Sequence, residues 1–325
     1  MKNSVAKKEE EGGMENGVPN KETSVADEVV IKLPELTWIY WGEKMTATTF
    51  GETFADMWSQ TLGFGYASTS AILVSLFLVF LGGQIYVQAY WPILFWAVMA
   101  TSSIAGTLIS DFIDRTLGWG YPTGMGVLLG ILLSILGVWK LTGMHMNVAG
   151  AMNRRQEFLY WTAILVSNTL GTALGDFLAD SVELGFGKTA GIIGSILVVC
   201  ALLAWFTKIS HVILFWVAFI LTRPFGATFG DLLTKPKDHG GLDLGTLNAS
   251  LVIMALFLVF FAIEIYMLRK DRQESKKNLD ATEDAVELRD GEINSKDDNA
   301  EREHHRHHDV EEGIHNPISI KVDAR

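Results

Sequence analysis

The chain has 325 residues, of which 49% are hydrophobic, and its 10 Trp and 18 Phe indicate a protein that sits in lipid rather than a pair of soluble domains. Its formal net charge of −11 and its lack of a basic stripe exclude nucleic-acid binding, which needs clustered Lys and Arg. The single cysteine, Cys200, excludes a disulfide framework and a thiolate metal cage.

In chain order, residues 1–31 are polar and lack the apolar core of a signal peptide, so we predict a disordered tail and insertion through the first membrane helix. Residues 271–325 are charged and poor in aromatics, which predicts a second disordered tail that is acidic and contains several histidines. Between the tails, hydropathy indicates apolar spans near residues 68–90, 91–110, 121–142, 158–178, 187–207, 209–222 and 247–268.

An internal repeat adds residues 35–62 as a further helix, although this stretch looks too polar to span a membrane. An aromatic residue followed by Trp recurs four times, with a Gly ten residues after the Trp and an Asp fifteen residues after it. The four sets are Trp41, Gly51 and Asp56; Trp96, Gly106 and Asp111; Trp161, Gly171 and Asp176; and Trp216, Gly226 and Asp231.

We therefore predict an all-α polytopic membrane protein in which residues 32–270 form eight transmembrane helices. They belong to four tandem two-helix repeats, at about 35–90, 91–142, 155–208 and 209–268. Because two helices return the chain to its starting side, all four repeats share one parallel orientation. The distribution of Lys and Arg places both termini in the cytoplasm.

The repeat glycines are expected to pack the odd-numbered helices. Each has a small residue four positions later, as Gly171 has Gly175, and such faces let membrane helices approach closely. The repeat tryptophans are expected to be interfacial belt residues or packing anchors.

A polar stripe precedes each repeat Asp at intervals of four residues, which places it on one helical face. An ionised side chain in hydrocarbon costs about 3 kcal/mol or more, so these groups should face a shared interior. Their alternative role is to cap helix ends. The stripe contains Thr48 and Glu52, Thr107, Asn168 and Thr172, and Arg223, and it is extended by Asp114 and Asp180.

Oxygen ligands of this kind suit hard cations such as sodium, magnesium, calcium or manganese, and buried carboxylates can also relay protons. The sequence therefore predicts a transporter of a small cation, with a divalent metal such as manganese as one candidate and with proton coupling. Arg223 is either an internal counter-ion to the Asp cluster or part of a structural salt bridge. The metal itself cannot be chosen from the sequence.

Other functions stay open beside the transporter. The chain could be a scaffold or sensor whose tail binds partners, or a passive ion channel, and it could form homo-oligomers. An enzyme is disfavoured because no nucleophile elbow, zinc-ligand spacing or phosphate loop is present, and we expect no cofactor. The tail histidines, His304, His305, His307, His308 and His315, and the triplet Met144–His145–Met146 are weak signals of metal capture.

Four tandem units with an aromatic residue and Trp at the start, and Gly and Asp at fixed spacing, resemble a bacterial family of uncharacterised membrane-anchored proteins. That family is built from a repeat of unknown function with a characteristic Trp in each copy. The resemblance covers residues 31–268 and implies an integral protein of the bacterial inner membrane, but it implies no substrate. Glu52 in the first unit, Arg223–Pro224 in the fourth unit and the long tails depart from the pattern.

Overall fold

The computed structural model describes residues 30–142 and 150–314. The predicted first tail and the Met144–His145–Met146 triplet therefore lie outside the described residues, apart from the last two residues of that tail. The described chain is all-α, with eight α-helices and one short β-ladder. The helices are α1 (Trp38–Asp56), α2 (Gly65–Tyr86), α3 (Pro92–Asp111), α4 (Tyr121–Leu141), α5 (Arg154–Asp176), α6 (Phe186–Phe206), α7 (His211–Thr234) and α8 (Thr246–Ile314).

The β-ladder joins the segments that precede α1 and α5, and the sequence did not predict it. Strand β1 (Val30–Leu33) pairs antiparallel with strand β2 (Gly150–Met152). Both strands lead into capped helices, since the Thr37 hydroxyl accepts a hydrogen bond at the start of α1 and Asn153 forms a capping box with Gln156 at the start of α5. The first and third repeats thus enter the helical region in the same way.

The four odd-numbered helices form a closed ring in the order α1, α3, α5, α7 and back to α1. The even-numbered helices lie outside this ring, and each packs on the odd helix that follows it: α2 on α3, α4 on α5 and α6 on α7. Helix α8 completes the pattern on α1, where the Ser250 hydroxyl lies 2.9 Å from that of Thr53. Most side chains of the odd helices are consequently buried, whereas most of those on α2, α4 and α6 are not.

The repeat glycines lie where neighbouring odd helices touch. At each repeat glycine, a side chain of a neighbouring odd helix fills the space that a methyl group on the glycine would need. This side chain lies eight residues before the repeat Asp of its own helix. Such a methyl group at Gly51, Gly106, Gly171 and Gly226 would lie 2.6 Å from Cβ of Ser103, 2.7 Å from Cβ of Asn168, 2.5 Å from Cβ of Arg223 and 2.8 Å from Cβ of Thr48, respectively. The same close contact therefore recurs at all four interfaces of the ring.

An aromatic layer closes the ring at the N-terminal ends of the odd helices. In every interface the aromatic residue before one repeat Trp contacts the Trp of the next odd helix, at ring-centroid distances of 5.5 to 6.5 Å. The four pairs are Tyr40 with Trp96, Phe95 with Trp161, Tyr160 with Trp216, and Phe215 with Trp41. The repeat tryptophans thus pack between neighbouring odd helices.

Six of the helices in the described residues are long and apolar enough to cross a membrane: Gly65–Tyr86, Pro92–Thr116, Tyr121–Leu141, Phe186–Phe206, Val212–Thr234 and Thr246–Glu283. Helices α1 and α5 fall short of that standard because they carry charged and polar residues. These include Glu43, Lys44 and Glu52 on α1 and Glu157 on α5, all of which are buried inside the protein.

Residues from Val259 onward form a second compact unit, which contains the end of α8. The sequence predicted disorder after residue 270, whereas the structure continues the helix to Ile314. This segment lacks proline and is rich in Glu, which favours helix, and pairs such as Lys270 with Glu274 at 3.8 Å support it. His315 lies outside the described residues.

Candidate functional site

The four repeat aspartates come together at the end of the ring opposite the aromatic layer. We call Asp56, Asp111, Asp176 and Asp231 the aspartate ring. Their side chains are buried, with at most 3% of each residue exposed. In the first three repeats a five-residue π-helical turn begins directly after the Asp, at Met57–Thr61, Phe112–Thr116 and Phe177–Ser181. Such turns occur frequently at functional sites.

Two basic side chains bridge the aspartate ring in pairs. Arg115 lies 2.9 Å from Asp111 and 3.2 Å from Asp176. Lys235 lies 2.8 Å from Asp56 and 3.2 Å from Asp231. Arg115 and Lys235 each lie four residues, or about one helical turn, after the repeat Asp of their own helix. From this position each side chain reaches the repeat Asp of a neighbouring odd helix.

Lys235 is held in its charged form by these carboxylates. Burial acts against the charge, but Asp231 and then Asp56 more than offset it, so that the pKa of Lys235 is raised above its ordinary value. The ammonium therefore remains an internal counter-ion throughout the neutral range.

One turn deeper, Arg223 crosses the ring from α7 and pairs with Glu52 on α1. Its guanidinium lies 3.1 Å from the Glu52 carboxylate, donates to the backbone oxygens of Thr48 and Ser103 at 3.2 Å, and also contacts the Thr107 hydroxyl. Thr107 in turn lies 3.0 Å from Glu52. Arg223 is completely buried. Of the two predicted roles, the geometry gives it that of a salt-bridge partner to Glu52.

The remaining residues of the stripe are buried in the same interior. The Thr48 hydroxyl donates to backbone oxygens of its own helix and of Thr222. The Asn168 amide donates to the Ser102 hydroxyl at 3.0 Å, and the Thr172 hydroxyl donates to the backbone of Asn168. These three groups therefore link helices or bond to their own backbone.

Asp114 and Asp180 do not join the aspartate ring. Asp114 points away from it, because its carboxylate lies against Gly124 of α4 and accepts from Ser110 at 3.4 Å. Asp180 is exposed and lines a cavity of about 250 Å³ at this end of the protein. Arg115, Lys235 and Asp231 line the same cavity, so it leads to the aspartate ring.

Three carboxylates in this region are close enough to hold one cation. Oxygen atoms of Glu52, Asp56 and Asp231 lie within 4.8 Å of one another, and all three residues are buried. We call this group the carboxylate triad. Its donors are oxygens only, which is the ligand type that Mg²⁺, Ca²⁺ and Mn²⁺ prefer.

The sequence reasoning missed Arg115 and Lys235 as site residues, although both lie four residues after a repeat Asp. The polar stripe was followed only toward the N-terminus from each repeat Asp; the same interval of four residues toward the C-terminus leads to both basic residues. It also missed Lys44, which lies twelve residues before Asp56 and is fully buried inside the ring. One more step backward along the stripe leads to this residue.

Comparison with known proteins identifies the repeat. No curated protein and no solved structure matches the chain. The model of the family described as Repeat of Unknown Function (DUF347) matches four times, at residues 39–90, 94–144, 159–210 and 214–270. Each match contains one two-helix unit, which confirms the resemblance predicted from the spacing of Trp, Gly and Asp. Because these matches cover more than half of the chain, the protein belongs to this family of tandem repeats.

Proposed function

We propose that the protein is a bacterial inner-membrane carrier for a small cation, with a divalent metal ion such as manganese as the first candidate substrate. The observation that carries this proposal is the carboxylate triad of three buried acids, one of which, Asp231, lines a surface cavity. Buried acids in a membrane domain need a compensating cation or proton.

The charge balance among the aspartate ring, Glu52 and their ion-pair partners supports a divalent substrate. The aspartate ring and Glu52 supply five carboxylates, and Arg115, Lys235 and Arg223 supply three positive charges. The difference is two formal negative charges, which one divalent cation would neutralise. Protonation of two carboxylates would neutralise the site equally well, and this equivalence makes exchange of the cation against protons chemically simple.

The filled axis of the ring favours a carrier over an open channel. Arg223 crosses the ring below the aspartate ring, and at the other end the aromatic layer packs the neighbouring odd helices against one another. A cation bound to the triad could reach the opposite side only after the odd helices rearrange. Alternating exposure of one site is the behaviour of a carrier rather than of a pore.

We further propose that all eight helices span the membrane, with both termini in the cytoplasm. Helices α1 and α5 are held between α3 and α7, so their polar residues need not meet lipid. The excess of Lys and Arg near the aromatic end favours a cytoplasmic position for that end. The cavity and the aspartate ring then face the outside.

The test is uptake of Mn²⁺ into proteoliposomes that contain the full chain. We expect Asp56→Asn and Asp231→Asn to lower uptake at least tenfold, because each removes a charged ligand. Asp238→Asn is the matched control, since this acid follows α7 but its side chain is 78% exposed. Unchanged uptake by correctly folded Asp231→Asn protein would contradict the proposal.

Deletion of residues 271–325 addresses the scaffold alternative. A carrier should keep its uptake without this segment, because the triad and the cavity lie before it in the chain. A scaffold that acts through its tail would instead lose its partner. Electrical recording of the same membranes distinguishes a passive channel, which would give discrete single-channel currents.

A further inference from the structure

Lys44 is a fully buried lysine inside the ring, and the proposed cation site does not use it. Its ammonium nitrogen lies 3.3 Å from the sulfur of Met99 on α3 and 4.0 Å from the centre of the Phe219 ring on α7. Both partners lie twelve residues before a repeat Asp, as Lys44 does, so the three side chains form one layer of the ring. In the same layer α5 contributes Ile164, which is also buried.

This lysine differs from the other basic side chains of the interior. Lys32, Arg115, Arg223 and Lys235 each lie within 3.2 Å of a carboxylate. Within the part of the chain that the structure describes, no carboxylate oxygen forms an ion pair with Lys44. A thioether and an aromatic face stabilise an ammonium group only weakly compared with a carboxylate. A lysine in such a layer is suited to changing its protonation state.

Other titratable groups lie on both sides of Lys44 along the axis of the ring. Tyr40 and Glu43 precede it on α1, Tyr160 on α5 belongs to the aromatic layer one turn away, and Arg223 on α7 lies one turn away on the other side. Helix α3 carries no titratable residue before Asp111. Any path along the axis from the carboxylate triad to the aromatic layer passes the layer that contains Lys44.

We propose that Lys44 carries the proton that is exchanged against the cation, an inference that rests on the proposed carrier function. The positive charge of the Lys44 ammonium group repels a cation bound to the carboxylate triad, so each weakens the binding of the other. Eight residues of helix separate Lys44 from Glu52, which is about 12 Å. At this separation, and with an effective dielectric constant of about 20, a unit charge changes the affinity for a divalent cation about a hundredfold.

The exchange balances in charge and protons at this residue. When the cation binds from one side, Lys44 releases one proton to that same side and becomes a neutral amine. When the cation leaves on the other side, the amine takes up one proton from that side. One proton from Lys44 thus crosses the membrane against each cation, and the remaining charge of a divalent ion is balanced by the triad or carried as current.

Two substitutions of Lys44 test the proposal in opposite directions. Lys44→Met keeps an unbranched side chain next to Met99 and Phe219 but cannot be protonated. We expect it to bind Mn²⁺ and to exchange Mn²⁺ for Mn²⁺ across proteoliposome membranes, but not to accumulate Mn²⁺ when a pH gradient is imposed. Lys44→Arg stays charged at every relevant pH, and we expect its affinity for Mn²⁺ to fall at least tenfold.

The outcomes separate this inference from the carrier function itself. If Lys44→Met still accumulates Mn²⁺ against its gradient when driven by protons, the inference is wrong and the carboxylates carry the protons. If both variants lose binding and unfold at the same lower temperature, Lys44 has only a packing role and the inference is equally wrong. If the unaltered protein shows no Mn²⁺ uptake of any kind, the carrier function fails first.

Discussion

Arg223 on α7 lies 3.1 Å from Glu52 on α1, and neither residue has a charged equivalent in the other repeats. At the register of Arg223 the other odd helices carry Thr48, Ser103 and Asn168, and at the register of Glu52 they carry Thr107, Thr172 and Ala227. This ion pair therefore breaks the four-fold pattern of the ring and gives its interior one distinct side.

Removal of one partner of this pair should destabilise the protein strongly. Arg223→Met leaves the Glu52 carboxylate buried without its counter-charge, and we expect a loss of about 3–5 kcal/mol in the free energy of unfolding. The double variant Glu52→Gln/Arg223→Met should recover most of that loss. Denaturant titration of the detergent-solubilised protein measures both values. Equal stability of the single and double variants would show that the two charges do not depend on each other.

The repeat glycines should tolerate no side chain. Gly171→Ala places a methyl group 2.5 Å from Cβ of Arg223, so we expect the ring to open locally at a cost of about 1–3 kcal/mol. Gly191→Ala on α6 is the control, because a methyl group there has no neighbour within 4 Å, and alanine favours helix. Thermal unfolding that is lowered equally by both substitutions would refute close packing at Gly171.

The tryptophans of the aromatic layer should contribute more to stability than tryptophans on the outer helices. Trp161 is 1% exposed and packs against Phe95, whereas Trp205 on α6 is 85% exposed. We expect Trp161→Ala to cost about 3–5 kcal/mol and Trp205→Ala to cost far less. The midpoint of detergent-induced or thermal unfolding measures the difference. Similar midpoints for the two variants would contradict a packed layer at this end.

Lys235 should compete with a bound cation, because it lies between Asp56 and Asp231. Lys235→Gln is expected to tighten Mn²⁺ binding about tenfold, and Lys237→Gln, at an exposed position nearby, should leave it unchanged. The raised pKa of Lys235 means that it keeps its proton as the pH rises through the ordinary range of lysine. The affinity of the unaltered protein for Mn²⁺ should therefore not rise near pH 10, because Lys235 is still positively charged there. Titration calorimetry at two pH values tests both statements, and weaker binding by Lys235→Gln would contradict them.

The repeated spacing predicted the part of the structure that depends on helical periodicity. Trp41, Gly51 and Asp56 lie at fixed spacing along one helix, and the same spacing in four copies brings like residues together in layers. Hydropathy alone did not find α1, because its polar side chains face the ring instead of lipid. The hydropathy of one helix does not indicate whether its polar side chains will be buried by neighbouring helices.

Features that depend on one repeat or on one contact could not be predicted. Nothing in residues 30–33 or 150–152 distinguishes a strand from a linker before the two segments pair. The bridging roles of Arg115 and Lys235 depend on which helices are neighbours, which the spacing does not give. The tail was assigned to disorder by composition, although its high Glu content and its lack of proline up to Ile314 also favour the helix.

Binding of Mn²⁺ to the purified full chain, followed by electron paramagnetic resonance, examines the carboxylate triad most directly. We predict one bound ion per chain at neutral pH, loss of that ion in Asp56→Asn/Asp231→Asn, and retention of it in Asp238→Asn. If the double variant binds Mn²⁺ with the same stoichiometry and affinity as the unaltered protein, the triad is not a cation site and the proposed carrier function loses its basis.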